Sequence, residues 1–424
     1  MFSKVIEIFK IADLRKKILM VAFLLLCFRV LAAIPIPGID SENLRNLFAS
    51  NQLFGFLNIF SGGALENLSI IMLGVGPYIT TTIILQLLTI LFPRLKEIYY
   101  EEGEQGRAKF NRLARYITVP LAALQGYGFL NLLTHQGVLA PLKMPVLITN
   151  VIIITAGSVL LMWLGELIEE YKIGSGISMI IFAGIVSGLP SALSNIIYSY
   201  SPEDIPTYIA YVILTVLVVA GVVFINEGER KIPVSYAKRV RGSKLYGGAS
   251  SYLPLKVNQA GVIPIIFAVS ILLFPQFLAQ TLSIFSPDIS IRLTELVNKF
   301  FANLLIYSAI YFVLVVVFTY FYTAITFDPQ EIAKNLQRSG GFIPGIRPGA
   351  STAEFISKIV NRTTLFGAIF LGLIAILPNL TQLITGISAL TLGGTALLIV
   401  VSVALETMKQ IQSQVIMREY EGFL

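Results

Sequence analysis

Chemistry-bearing residues are scarce in this sequence. It has one cysteine, Cys27, and one histidine, His135. A single cysteine excludes a disulfide framework, and a lone histidine excludes a zinc site or a histidine-based triad. Cys27 lies inside an apolar run and reads as a small span residue, while His135 reads as an interfacial one. No Gly-x-x-x-x-Gly-Lys-Ser/Thr stretch is present, so there is no phosphate-cradling loop for ATP. Gly174-Ser175-Gly176 lacks the third glycine and the preceding strand of a dinucleotide site, and reads as a tight turn. Charge is also short: 13% of residues are Asp, Glu, Lys or Arg, against about a quarter in soluble domains. Carboxylates avoid the middle of the apolar runs, with Glu166, Glu169, Glu170, Glu227 and Glu229 all at run ends. An ion-coupled carrier needs an acid or charged pair near the bilayer centre, and an intramembrane enzyme needs its base there. Neither an enzyme nor a cofactor nor a metal is expected.

Long apolar runs fill the chain instead. They span 18–34, 70–92, 116–134, 146–168, 177–197, 207–225, 257–275, 304–323, 363–380 and 388–407, and 55% of all residues are hydrophobic. A helix needs ~20 apolar residues to cross ~30 Å of hydrocarbon. The expectation is an all-α polytopic membrane protein of ten transmembrane helices. Lys and Arg are divided 26 to 4 between the two sets of connections, with Arg29 inside the first run. The positive-inside rule therefore puts both termini in the cytoplasm. Five spans in each half, 1–200 and 201–424, give the halves opposite orientation, the arithmetic of an inverted repeat.

One stretch fails to span. Between the first two runs, the apolar core Leu53–Phe60 is too short and is followed by Ser61, Gly62, Gly63, Glu66 and Asn67. It reads as a re-entrant segment. Two cytoplasmic connections, Asn226–Lys256 and Phe327–Arg362, are long and basic, beyond what orientation requires. They read as docking surfaces for acidic or phosphate-rich partners, RNA among them. Within the spans, Thr80, Thr81, Thr82, Gln86, Gln125, Asn258 and Gln259 supply neutral polarity. It suits helix–helix hydrogen bonds, a hydrated path or a separable seam.

Five segments carry a family resemblance. They are Leu-Gly-Val-Gly-Pro-Tyr-Ile-Thr-Thr-Thr-Ile-Ile-Leu-Gln-Leu-Leu at 73–88, Gly-Ser-Gly-Ile-Ser-Met-Ile-Ile-Phe-Ala-Gly-Ile-Val-Ser-Gly-Leu-Pro at 174–190, and Tyr-Ala-Lys-Arg at 236–239 with Leu-Pro-Leu-Lys-Val-Asn-Gln-Ala-Gly-Val-Ile-Pro at 253–264. Gly-Phe-Ile-Pro-Gly-Ile-Arg-Pro-Gly at 341–349 and Gly-Gly-Thr-Ala-Leu-Leu-Ile-Val at 393–400 complete them. In order, and over essentially the whole chain, they resemble the SecY family of protein-export channels.

The resemblance implies two pseudo-symmetric five-helix halves around an hourglass pore, with a plug helix closing one funnel. The implied pore ring is Val75, Ile79, Ile181, Ile185, Ile266 and Ile399; Val75 stands where isoleucine is expected in many relatives. An aliphatic constriction dewets against ions yet flexes around a polypeptide. The implied plug covers about 56–68, with Phe56, Leu57, Asn58, Ile59, Phe60, Ser61, Gly62, Gly63, Ala64 and Leu65 at its heart. Thr80, Gln125 and Asn258 match the polar cluster of a lateral gate. Arg239, Arg241, Lys244 and Arg347 match docking positions. Implied partners are the small membrane subunits SecE and SecG, the SecA motor ATPase, the ribosome through its RNA, signal sequences and the lipid bilayer. The implied location is the bacterial plasma membrane.

Overall fold

The structure, a computed structural model, describes residues 11–37, 61, 63–65, 67–100, 102–135, 139–198, 205–236, 239–241, 244–246, 250–282, 287–385 and 394–421. Among the described residues these helices come first: α1 Ala12–Ala33, α2 Gly76–Leu91, α3 Pro93–Tyr100, α4 Gly103–His135, α5 Met144–Glu170, α6 Gly176–Tyr198 and α7 Ile205–Glu227. Four short strands follow, β1 Glu229–Tyr236, β2 Arg239–Arg241, β3 Lys244–Tyr246 and β4 Ser250–Lys256. The rest is α8 Ile263–Leu282, α9 Pro287–Ala302, α10 Leu304–Thr326, α11 Pro329–Arg338, β5 Gly341–Phe342, α12 Ala350–Thr385 and α13 Gly394–Glu421.

Every apolar run of the sequence falls, wholly or largely, on one of these helices. Among the described residues five are long and apolar enough to cross a bilayer (α5, α7, α10, α12 and α13), and a sixth span arises if α2 and α3, bent by 113°, count as one. Their outer faces are apolar. On α7, Ile209, Val212, Ile213, Val216 and Leu217 are all more than half exposed, and Leu19, Phe23, Leu26 and Val30 do the same on α1. Stripes at three- and four-residue spacing on the outside would be untenable in water and are what lipid requires. The protein is a multi-pass helical membrane protein.

Three helices run well past their apolar cores. α4 begins at Gly103 rather than 116, α12 at Ala350 rather than 363, and α13 continues to Glu421. The extensions of α4 and α12 are held by packing, which the apolar-run criterion cannot see. Phe110 and Ala114 of α4 are buried with Tyr78, Leu85 and Met162, while Ile356 and Val360 of α12 join another core.

The described residues of the two long connections, 226–256 and 327–362, lie largely on strands and helices. β1 pairs antiparallel with β4 from Glu229↔Lys256 to Ser235↔Ser250, and with β5 at Ser235↔Phe342 and Tyr236↔Gly341. Ile232 and Val234 of β1 point inward while Lys231 and Pro233 are exposed, the period of two expected of a half-buried sheet. Ile232, Leu255, Ile343, Ile356 and Val360 form the core beneath. The strands are confined to these connections, so the helical class stands.

Packing divides the chain into two compact units: Met1–Pro202 with Val269–Leu304 and Val403–Leu424, and Glu203–Ala268 with Leu305–Ser402. In the first, α4 packs along α2 and α5, α5 along α6, and α1 against α5 and α6. Arg115 of α4 and Glu166 of α5 form an ion pair at 2.7 Å. In the second, α11 packs on α12, and α12 on α7.

Candidate functional site

The first group of site residues lies at the start of α2. Gly74 adopts φ +59, a backbone turn that admits glycine readily, and Val75 then caps the helix. Pro77 sits in the first turn, where its missing N–H is not needed. Val75 and Ile79 are one helical turn apart and both buried. The hydroxyls of Thr80, Thr81 and Thr82 each donate to the carbonyl four residues earlier, on Gly76, Pro77 and Tyr78. That differs from the cross-helix or hydrated role expected of them: a threonine inside a helix finds its nearest acceptor on its own backbone.

A second pair, Ile181 and Ile185, comes from α6 with the same spacing and is also buried. The turn leading into α6 is glycine-dependent as expected: Lys172 has φ +56 and Gly174 φ +146. Gly176 has a different reason. A Cβ there would stand 1.8 Å from the Gly165 carbonyl oxygen of α5, so only glycine lets the two backbones meet.

Of the residues expected to form a plug, Ser61, Gly63, Ala64 and Leu65 are described, whereas Phe56, Leu57, Asn58, Ile59, Phe60 and Gly62 lie outside the described residues. Ser61, Ala64 and Leu65 are buried, and the Leu65 amide donates to Ser61 Oγ at 3.1 Å. The chain then returns beside the end of α1: Ile36 N donates to Leu68 O and Ile70 N to Ile34 O. Leu65 and Leu68 pack with Ile36, Met72, Phe129, Leu130, Leu133 and Ile154. The described part of this segment is therefore protein-packed, not a plain surface loop.

The other unit holds Ile266 on α8 and Ile399 on α13, both buried, and Asn258 in the turn before α8. Asn258 Nδ2 donates to Asn226 Oδ1 at 2.8 Å and to Gly261 O at 3.1 Å, and Asn226 Nδ2 donates to Ser402 Oγ at 2.8 Å. Asn226 closes α7 and Ser402 lies one turn beyond Ile399, so this chain of amides ties the feet of the β1–β4 hairpin to α13. Of the expected gate residues, Thr80, Gln125 and Asn258 are all buried; the bonds described for Asn258 go to Asn226 and Gly261, and that described for Thr80 goes to its own helix. Asn226 and Ser402 were missed. Asn226 offered a faint signal as an amide in the last turn of an apolar run; Ser402 offered none.

Arg239, Arg241 and Lys244 fall on the β2–β3 hairpin, with Arg241 opposite Lys244. Arg347 is exposed on the turn that follows β5. β5, just before Arg347, pairs with the end of β1, a juxtaposition hidden in the sequence by about a hundred intervening residues, whereas the β2–β3 hairpin forms a sheet of its own.

Several solved structures share this fold. A protein-conducting channel matches with TM-score 0.63 at 21% identity, over 93% of this chain and 90% of that one. A SecY protein matches equally well, with TM-score 0.63 at 20% identity over 92% of this chain and 90% of that one; its plug domain stabilizes the closed state of its translocation channel and maintains a membrane seal. The class is thus a polytopic helical membrane protein with the fold of protein-conducting channels. Sequence comparison is more specific. The SecY family model matches residues 69–408. The protein translocase subunit SecY of Mycobacterium tuberculosis is 41% identical and that of Corynebacterium glutamicum 43%, each over 100% of both chains, and that of Streptomyces coelicolor is 44% identical over 98% of both. The chain belongs to the SecY family.

Proposed function

We propose that the protein is the pore of a polypeptide translocase. It would pass unfolded secretory chains across the bacterial plasma membrane and release membrane segments sideways into lipid. The observation that carries this reading is the set of six aliphatic side chains, Val75, Ile79, Ile181, Ile185, Ile266 and Ile399, all 9% exposed or less. They are offered by four helices in spans otherwise free of mid-membrane charge. An aliphatic constriction resists ions without binding any one substrate, which a polar lining would do. The relatives' names, all translocase subunits, point the same way.

In this reading ten helices span the membrane in two halves, 1–200 and 201–424, with both termini in the cytoplasm, as the 26-to-4 division of Lys and Arg supports. The segment 56–68 is the plug, and Thr80, Gln125 and Asn258 lie along the seam that opens to lipid. The basic connections bearing Arg239, Arg241, Lys244 and Arg347 receive the ribosome or the SecA motor, since guanidinium groups suit phosphate and carboxylate in bidentate geometry. SecE and SecG flank the channel. Energy comes from a partner or from the membrane potential, because the chain carries no ATP-binding loop. Reconstituted protein should import a signal-bearing precursor into vesicles only with SecA and ATP present; import by vesicles lacking the chain would refute the assignment.

A further inference from the structure

Arg29 is the single charge in the apolar run 18–34. A charged side chain inside a span is expensive and is kept where it has a partner. Long cations near span ends often reach outward to headgroups instead. Here the guanidinium turns inward. A Cβ built on Gly63 would stand 3.7 Å from Arg29 Nη1, and 4.0 Å from both the Gly184 carbonyl oxygen and the Ser187 Oγ of α6. Gly63 thus lies in a slot with Arg29 on one wall and α6 on the other. Its φ of +80 favours glycine, and the distances on both sides are those of ordinary contact, so the segment's backbone runs directly against the Arg29 head group and α6. The residues around it, Ser61, Ala64 and Leu65, are buried.

We propose that Arg29 is a positioning residue that pins the Ser61–Leu65 segment between α1 and α6 and so holds the channel shut. The inference rests on the plug reading of that segment. Guanidinium is suited to the task because it offers five donors in a rigid fork and stays charged. With Nη1 this near Gly63, a charge-assisted hydrogen bond to the segment's backbone is what the pinning requires, and one such bond would favour the closed state yet be displaced by an arriving segment. It also accounts for a feature that orientation does not need, since Lys16 and Lys17 before the span already supply the topogenic charge.

The test places one reporter cysteine in the segment. In full-length chain with Cys27→Ser and Ala64→Cys, reconstituted in liposomes, the rate of modification by a membrane-impermeant maleimide reports exposure of residue 64, which is fully buried in the structure. Arg29→Leu should raise that rate roughly tenfold or more, as expected when one such contact no longer biases a two-state equilibrium, and should raise ion leak in parallel. Arg29→Lys, which keeps the charge but loses the fork, should fall between. Leucine suits a membrane span, so insertion is preserved; Gly63→Ala, strained at a φ of +80, should loosen the segment from its own side and shift both readouts in the same direction. Replacing 61–65 with a Gly-Ser linker is the control. If the linker raises leak while Arg29→Leu and Gly63→Ala leave labelling and leak at the parent values, pinning by Arg29 is wrong and the plug stands. If the linker leaves leak unchanged, the plug reading itself fails and the pinning with it.

Discussion

Two glycines of one helix should respond to alanine with opposite signs. Gly176 opens α6 against α5: an alanine Cβ would meet the Gly165 carbonyl oxygen at 1.8 Å, its carbon at 2.6 Å and its Cα at 3.1 Å. All three are backbone atoms, so no side chain can swing aside. Ordinary carbon contacts sit near ~3.5 Å, so the helices must part by more than ~1 Å. Overpacking of this kind costs about 1–3 kcal/mol, and the rigid neighbour argues for the upper part of that range. The gain from removing a glycine is at most about 1 kcal/mol and smaller at a helix's first residue. Gly188, three turns further along, has nothing within 4 Å of its Cβ position. Alanine there should stabilise by about 0.4–1 kcal/mol, chiefly by restricting the unfolded chain. Trp163, the only tryptophan and a residue of α5, reports the unfolding in detergent micelles by its fluorescence. Gly176→Ala should lower the denaturation midpoint and Gly188→Ala should raise it. Gly176→Ala as stable as the parent would refute the close approach of α5 and α6, on which the placement of Ile181 and Ile185 depends.

Two further perturbations test the other unit. Asn226→Ala removes the middle of the amide chain and leaves Ser402 and Asn258 short of partners. The expected loss is about 1–2 kcal/mol, between the ~0.6 average for membrane helix pairs and the ~1–3 of an orphaned buried polar group. A double-mutant cycle with Ser402→Ala should be non-additive, and additivity would mean that the bond contributes nothing. Arg347→Glu should impair SecA-driven import at unchanged folding, because the contact of this turn with α12 runs through the Arg347 carbonyl, which accepts from Thr352 Oγ1 at 2.8 Å. Normal import would make this basic turn topogenic only.

What could be read from the residues follows from the range of the forces involved. Apolar runs locate helices because membrane insertion is decided locally, by ~20 consecutive residues. The sheet was not legible because its pairings are long-range: Tyr236 meets Gly341 across the intervening helices α8 to α11. Pro233 and Pro254 also disguised β1 and β4. Each lacks an amide donor and so argues against a central strand, yet Pro233 lies outside the short pairing with β5 and Pro254 on an edge strand. The polar extensions of α4 and α12 escaped notice because one buried face suffices to hold a helix whose other face is charged. Among the expected site residues, the pairs Val75/Ile79 and Ile181/Ile185 are marked in the sequence by motif and by their spacing of four, and the structure buries all four. The Asn258–Asn226–Ser402 chain and the approach of Arg29 to Gly63 were not, since nothing local in the sequence encodes which amide another amide faces.

The pore reading stands or falls on the aliphatic ring. Ile79, Ile181 and Ile399 should be replaced together by serine, and single-channel current measured in planar bilayers containing the reconstituted chain. Hydroxyls would wet the constriction, and the variant should pass ions at rest while the parent remains silent. Resting current indistinguishable from the parent's, in protein shown to be folded and inserted, would contradict the assignment of these residues to the barrier.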